Sequence, residues 1–367
     1  MRIFFISPTS SQPRFHKRAK LLNSYIPVSI FAFQRGLYEE NTFPEDLDFT
    51  KLGKIKDGNY FDRLKNILIA IKKIRKHKRI YRNEELIFYA LSLDSLLIAK
   101  MSGIKKGFYE IGDLRFLRDK INLFSIIEAL LVRSINGVVV TSPSFIGLVK
   151  PKKFYKSKTP FYLIENKVIN TLKRPKIINE ELSNKSKIRI GLIGFLRYRL
   201  PILRIVSFLD ANKDLYELHC WGDGAIKSLI KDSRNESIFY YGSFKNPDDL
   251  EKIYSSVDLN FTVYGGDPSS EIGVRHALPN KYYESAFFHV PIICRSNTKV
   301  AEKSLQKGIG FEVDIHSQES FNHDMLAITR NKITAATRNC FDVSNDEIYD
   351  DSKIIIESML RENDFIE

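Results

Sequence analysis

Cysteine is scarce in this chain. Cys220, Cys294 and Cys340 are odd in number, far apart and without CxxC spacing, so neither a disulfide framework nor a zinc site is indicated. A reducing cytosol is the compartment this usage leads us to expect. Long apolar runs are also missing: the longest stretch without a charged residue, 134–149, covers about 16 residues and is broken by Asn136, Ser142 and Pro143, too short for a membrane-spanning helix. The apolar run Met1 to Ile6 meets Ser, Pro and Thr at once and has no small-residue cleavage site, so it reads as a first strand rather than a signal peptide. Internal repeats and low-complexity tracts are absent, which excludes solenoids and propellers.

The chain has 367 residues, 43% apolar and 12% aromatic, enough for two ordinary cores. Lys and Arg outnumber Asp and Glu 57 to 44, a formal net charge of +13. An anionic partner follows, whether nucleic acid, acidic lipid or a phosphorylated small molecule.

Short apolar runs alternate with helical-period stretches. Strands are predicted at 2–7, 28–33, 86–91, 107–111, 137–142 and 161–166, with helices at 14–25, 62–82, 93–102 and 122–135 between several of them. After a polar, lysine-rich connector the pattern restarts, with strands at 188–195, 216–222, 238–244, 259–264 and 290–295 and helices near 201–211, 224–233, 248–256 and 279–288. The expected fold is α/β: two Rossmann-like, doubly wound parallel-sheet domains, 1–170 and 188–340, joined by a linker at 171–187 and facing a central cleft where ligands bind. One amphipathic helix is expected at about 345–363, with a return onto the first domain as one option for its packing.

The most informative segment is LPNKYYESAFFHVPIIC, 278–294. Pro279 suits the first turn of a helix, which then places Asn280, Lys281 and Glu284 within about one turn, Asn280 and Glu284 on one face. Free N–H groups and a nearby Lys suit a diphosphate, and a Glu one turn deeper suits the two hydroxyls of a ribose. The alternative is a solvated Lys281 and a Glu284 paired with a neighbour.

These residues resemble the LPNK, aromatic, Glu, small, Pro-Val-Ile stretch of bacterial GT-B glycosyltransferases, particularly family 4-like enzymes of capsule, exopolysaccharide and O-antigen synthesis. IRIGLIGFLRY at 188–198, LHCWGDG at 218–224 and the segment 239–264 agree with that family in order and spacing; over the first half the likeness is architectural. The resemblance implies a transferase moving a sugar from a nucleotide-sugar, UDP- or GDP-linked, to a lipid-linked or oligosaccharide acceptor. It further implies that Lys281 contacts the donor diphosphate, Glu284 the ribose and Asn280 the sugar or phosphate. Gly194, Arg197, Gly222 and Tyr264 complete the donor side. Lys or Arg can stabilise a departing nucleoside diphosphate directly, so no cofactor and no metal is expected.

Retaining members of that family carry two glutamates separated by seven residues near the donor sugar. Here the position eight before Glu284 is His276, and Glu271 lies further back, so the loop 264–278 is rebuilt and retention or inversion stays open. Glu271, Arg275 and His276 either contact the donor sugar or shape the loop. On the acceptor side, FYEIGDLR at 108–115 places Glu110 and Asp113 at the carboxyl end of a strand. Asp113 is the preferred base, with an N-cap or a pairing with Arg115 or Arg118 as its alternative. Arg14, His16 and Lys17 crowd the exit of the first loop, where they bind an acceptor pyrophosphate or form a solvated helix start.

The segment 62–82 carries Leu64, Ile67, Leu68, Ile71 and Ile74 at helical spacing with nine Lys or Arg, a pattern that fits an anionic membrane surface, an ordinary sheet-packed helix, or both. The expected location is cytoplasmic, either free or peripheral on the inner membrane face. No nucleic-acid-reading motif is present. A GT-B nucleotide-sugar epimerase and a basic nucleic-acid-binding protein are the competing classes.

Overall fold

The computed structural model describes residues 1–10, 12–34, 47–54, 60–112, 114, 123–149, 159–176 and 186–367. They divide into two units, Met1–Glu165 with Asp351–Glu367, and Asn166–Asp350.

In the first unit seven parallel strands, β1 (Arg2–Ser7), β2 (Val28–Gln34), β3 (Asp48–Lys54), β4 (Leu86–Ala90), β5 (Lys106–Ile111), β6 (Gly137–Val140) and β7 (Phe161–Leu163), form a sheet in the order β3-β2-β1-β4-β5-β6-β7. The central strands are apolar on both faces, as a sheet covered twice requires: Ile3, Phe4, Phe5 and Ile6 are all buried. β3 escaped the sequence reading because it is an edge strand, with charged Asp48, Lys51 and Lys54 and full burial only at Leu52.

Right-handed crossovers send α1 (Pro13–Asn23) to one face and α2 (Tyr60–Ile80), α3 (Leu93–Met101), α4 (Leu123–Val132) and α5 (Pro143–Val149) to the other, because the strand order reverses at β1. Phe15, Ala19 and Leu22 of α1 pack with Ile3, Phe5 and Tyr89. The reversal at β1 and β4 is a switch point, where the carboxyl ends of the strands leave a crevice.

The second unit has six parallel strands, β8 (Ile188–Ile193), β9 (Tyr216–Trp221), β10 (Ile238–Gly242), β11 (Leu259–Thr262), β12 (Ile292–Arg295) and β13 (Gly310–Val313), in the order β10-β9-β8-β11-β12-β13. Its helices are α6 (Arg199–Asn212), α7 (Ser228–Lys231), α8 (Leu250–Tyr254), α9 (Glu271–His276), α10 (Asn280–Phe288), α11 (Lys299–Gln306), α12 (Gln318–Leu326) and α13 (Arg330–Asp342), of which α8, α9 and α10 carry residues of the site.

The single C-terminal helix expected at 345–363 is two helices, α14 (Asn345–Ile348) and α15 (Ser352–Arg361). The helix breaks because the backbone around Tyr349 is spent on a bridge to Val168: Val168 N donates to Ile348 O at 3.0 Å and Asp350 N to Val168 O at 2.8 Å. Ile356, Met359 and Leu360 of α15 join the core that α1 forms with the first sheet. The apolar stripe foreseen on 62–82 also divides. Ile67, Ile71 and Ile74 are buried against the sheet, whereas Leu64 and Leu68 are 56% and 53% exposed beside Phe61. Among the described residues no helix is long and apolar enough to cross a membrane.

Candidate functional site

In the second unit the sequence from Pro279 builds the site. Pro279 is extended (φ −75°, ψ 156°) and sits at the N-cap, one position before its expected place in the first turn; the helix then starts at Asn280. Lys281, Tyr282, Tyr283 and Glu284 are all buried, so this amphipathic-looking helix is enclosed nearly all round.

Glu284 is the hub. Its Oε2 accepts from Lys281 Nζ at 2.5 Å and from Tyr254 OH at 2.8 Å, and its Oε1 accepts from Asn280 Nδ2 at 2.6 Å. Lys281 and Glu284 are 4% and 5% exposed, so Lys281 is not a solvated lysine. Tyr254 is fixed in turn by Asn260, whose Nδ2 donates to the Tyr254 hydroxyl at 3.3 Å and to Ser285 Oγ at 2.8 Å, while its buried Oδ1 has no hydrogen-bond partner among the described residues. Burial, then the Glu284 carboxylate, raises the Tyr254 phenol well above its usual range, so it acts as a donor. Tyr254, Asn260 and Ser285 escaped the sequence reading; the polar Asn260 inside the apolar strand LNFT was the available signal.

Two backbone loops lie above this cluster. Gly194, at φ +125°, follows β8 directly, and a Cβ there would lie 3.6 Å from Lys281 Cε. Gly222, after β9, approaches so closely that a Cβ would fall 1.8 Å from the Gly194 carbonyl oxygen. The loops are laced by Gly194 N to Trp221 O at 2.8 Å and Leu196 N to Asp223 O at 2.9 Å. Gly222 thus packs directly against the Gly194 loop. Arg197 lies over the Tyr198 ring at 4.6 Å, and Tyr198 packs against Tyr264 at 5.2 Å between centroids. Tyr264 has its phenol raised, chiefly by burial.

In the loop 264–278, Glu271 receives a bidentate grip from Arg295, at 2.7 and 2.9 Å, and a further bond from Arg275 Nε at 2.9 Å. Hydrogen bonding from Arg295 outweighs partial burial and holds the Glu271 carboxyl below its usual range. Gly265 permits this path: a Cβ there would fall 2.3 Å from Arg295 Nη1. Burial, then Arg275, lowers the His276 pKa. Glu271 and Arg275 are thus tied into the framework of the loop, and Arg295, buried at the end of β12, was not foreseen.

In the first unit Glu110 ends β5 at 2% exposure, and its Oε2 accepts from Arg18 Nε at 3.1 Å and Tyr89 OH at 2.6 Å. His16 Nε2 is 2.6 Å from the Ser10 carbonyl oxygen, and burial lowers its pKa. Arg14 and Lys17 stand on α1. Asp113, with Arg115 and Arg118, lies outside the described residues. The described residues contain no group of three or more His, Cys, Asp or Glu able to hold a metal ion.

No protein-family model matches this chain, and no curated protein matches it in sequence. Solved structures do. Sucrose-phosphate synthase from Thermosynechococcus elongatus is similar over 100% of this chain and 99% of its own, with a TM-score of 0.73 at 13% identity. The Anabaena protein HepE in complex with UDP-glucose covers 99% of both chains at a TM-score of 0.67 and 12% identity. The lipopolysaccharide outer core galactosyltransferase WaaB covers 99% of this chain and 100% of its own at 0.62 and 12%. The fold is GT-B: two Rossmann-like units, each on a parallel sheet.

Proposed function

We propose that the chain is a glycosyltransferase that takes a sugar from a UDP- or GDP-sugar, held by the second unit, and passes it to a lipid-linked or oligosaccharide acceptor in bacterial surface polysaccharide synthesis. The observation that carries this reading is the buried Lys281–Glu284–Asn280 cluster at the start of α10, directly beneath the Gly194 loop. A free-ended helix with a lysine in its first turn suits a diphosphate, and a carboxylate on the same turn suits the ribose diol. HepE, a structural neighbour, is a complex with UDP-glucose, and WaaB is a galactosyltransferase of lipopolysaccharide outer core; both fit the proposed donor and acceptor classes.

In this reading the leaving nucleoside diphosphate is stabilised by Lys281 and Arg197, without a resident metal. The Lys281–Glu284 pair exchanges part of its mutual contact for the phosphate and the ribose, a swap of one ion pair for another rather than the creation of a buried charge. The acceptor hydroxyl requires a base in the first unit, for which Asp113, Glu110 and His16 are the candidates. The partly apolar, strongly cationic outer face of α2, with Phe61, Leu64 and Leu68 exposed ahead of Lys72, Arg75, Lys76 and Arg79, would rest on an anionic cytoplasmic membrane surface where a lipid-linked acceptor resides.

The test is a thermal-shift screen with UDP-, GDP-, dTDP- and CMP-sugars and their bare nucleotides. A ligand that binds the folded state raises Tm. One nucleotide family should stabilise the wild type and fail to stabilise Lys281→Ala. Stabilisation of both alike would remove Lys281 from the donor site, and a silent screen would remove the donor site altogether. An epimerase would instead alter the sugar while leaving the nucleotide attached.

A further inference from the structure

The first unit contains a second feature with its own chemistry. A cavity of about 200 Å3 opens at the carboxyl ends of β1, β4 and β5, with Arg14, Arg63, Asp94, Glu110 and Glu128 among its walls. Most of that charge is already matched. Arg63 Nη2 lies 2.6 Å from Asp94 Oδ2, Tyr109 OH donates to Glu128 Oε1 at 2.6 Å, and Arg18 with Tyr89 occupies Glu110 Oε2.

Two groups are left over. Glu110 is 2% exposed, yet among the described residues nothing donates to its Oε1. Arg14 makes no ion pair and no hydrogen bond among the described residues, and its Nε is buried without an acceptor. Its guanidinium is nonetheless held in place. It lies over the Phe15 ring at 4.8 Å and against the backbone at Gly112, where a Cβ would fall 2.2 Å from Nη2. Arg14 is half-buried with its Nε enclosed and unpartnered, which carries a desolvation cost, and Glu110 Oε1 offers an acceptor that no described side chain uses. A ligand bearing an anion and a hydroxyl would satisfy both at once. The volume sets its size: at about 30 Å3 per water the cavity holds roughly seven, close to one six-membered sugar ring and short of two.

We propose that this cavity seats a single sugar ring carrying an anionic group, phosphoryl or carboxylate, with the anion on Arg14 and a ring hydroxyl donating to Glu110 Oε1. The binding stands on these walls alone; its place as the acceptor subsite rests on the transferase reading above. A sugar 1-phosphate represents the head of a diphosphate-linked lipid, and a uronate represents a residue of an acidic glycan.

Calorimetric titration of the full chain with glucose, galactose and mannose, each as free sugar, 1-phosphate and uronate, tests this. At least one anionic form should bind about tenfold or more tighter than its free sugar, and the form that does so distinguishes the phosphoryl from the carboxylate source. Arg14→Ala should bring that ligand to the level of the free sugar, and Arg14→Lys should recover part of the difference. Circular dichroism melts check that both variants fold. Equal binding of free and anionic sugars, or an unchanged preference in Arg14→Ala, overturns the proposal, as does no binding by any of the nine. Nucleotide-sugar shifts separate the two readings. Anionic sugars binding where no nucleotide-sugar does would leave the cavity and remove the transferase; the reverse would leave the transferase and remove this subsite.

Discussion

Lys281 Nζ lies 2.5 Å from Glu284 Oε2, three residues on along the same helix, with both side chains at 6% exposure. Neither charge has water to fall back on, so each depends on the other. Their burial makes the pair a structural element of the fold as well as the centre of the candidate site.

Removing one member should therefore cost folding stability, and a mutant cycle separates that cost from binding. Glu284→Leu or Lys281→Met should each lose about 3–5 kcal/mol in urea unfolding, since a buried charge is left alone. The double variant Lys281→Met with Glu284→Leu should be more stable than either, while still failing to bind any nucleotide-sugar. Additive losses in the double variant would contradict the coupling.

Gly222 is required by geometry rather than by flexibility. Gly222→Ala sets a Cβ against the Gly194 carbonyl oxygen, and neither backbone can yield cheaply, so a loss above about 2 kcal/mol is expected. Gly242, at φ +80° with nothing within 4 Å of where an added methyl would sit, is the control. Gly242→Ala should cost only the left-handed penalty of about 1–2 kcal/mol. Equal effects in chemical denaturation would refute the close-approach account.

Arg295 shapes the loop 264–278 through its bidentate grip on Glu271. Arg295→Met should lower stability by about 2 kcal/mol and weaken sugar-nucleotide binding more than binding of the bare nucleotide. Arg295→Lys should recover less than half, because an ammonium cannot span both carboxylate oxygens. Full recovery by lysine would show that charge alone matters there.

His289 gives the fold an acid limit. It caps α10 in the left-handed region at φ 57°, stacks on Phe341 at 3.5 Å between centroids, and both ring nitrogens are buried without hydrogen-bond partners among the described residues. Burial, then the Arg174 guanidinium, lowers its pKa from 6.5 to about 4. The unfolded chain therefore binds a proton that the fold refuses between these values. Stability is complete above pH 6.5 and declines as pH falls toward 4, by about 3 kcal/mol at most from this group. Asparagine tolerates the same backbone, so His289→Asn should shed that part of the slope when urea midpoints at pH 7 and 4.5 are compared. An unchanged slope would assign the acid sensitivity elsewhere.

Where sequence reading succeeded, the local signal was strong. The strands beginning at Arg2, Val28, Leu86, Ile188 and Tyr216 are apolar runs bounded by turn residues, and the covered parallel sheet demands such runs. Where it missed, the signal was diluted. β3 is a charged edge strand, and β13, GFEV, is four residues long with Glu312 exposed at its centre. The clustering of Asn280, Lys281 and Glu284 in 278–294 was legible because, with Pro279, they lie within about one helical turn. Arg295 and Tyr254 were not, because each reaches its partner across more than twenty residues of chain.

The sequence by itself determined the element types, the parallel character of both sheets and the identity of the α10 cluster, because periodicity, burial demand and helical spacing act over a few residues. Only the tertiary structure decided which charges are matched. Glu110 with Arg18 and Tyr89, Glu271 with Arg295, and an Arg14 left without an ion pair among the described residues are outcomes of strand order, and strand order is set by contacts between segments far apart in the chain.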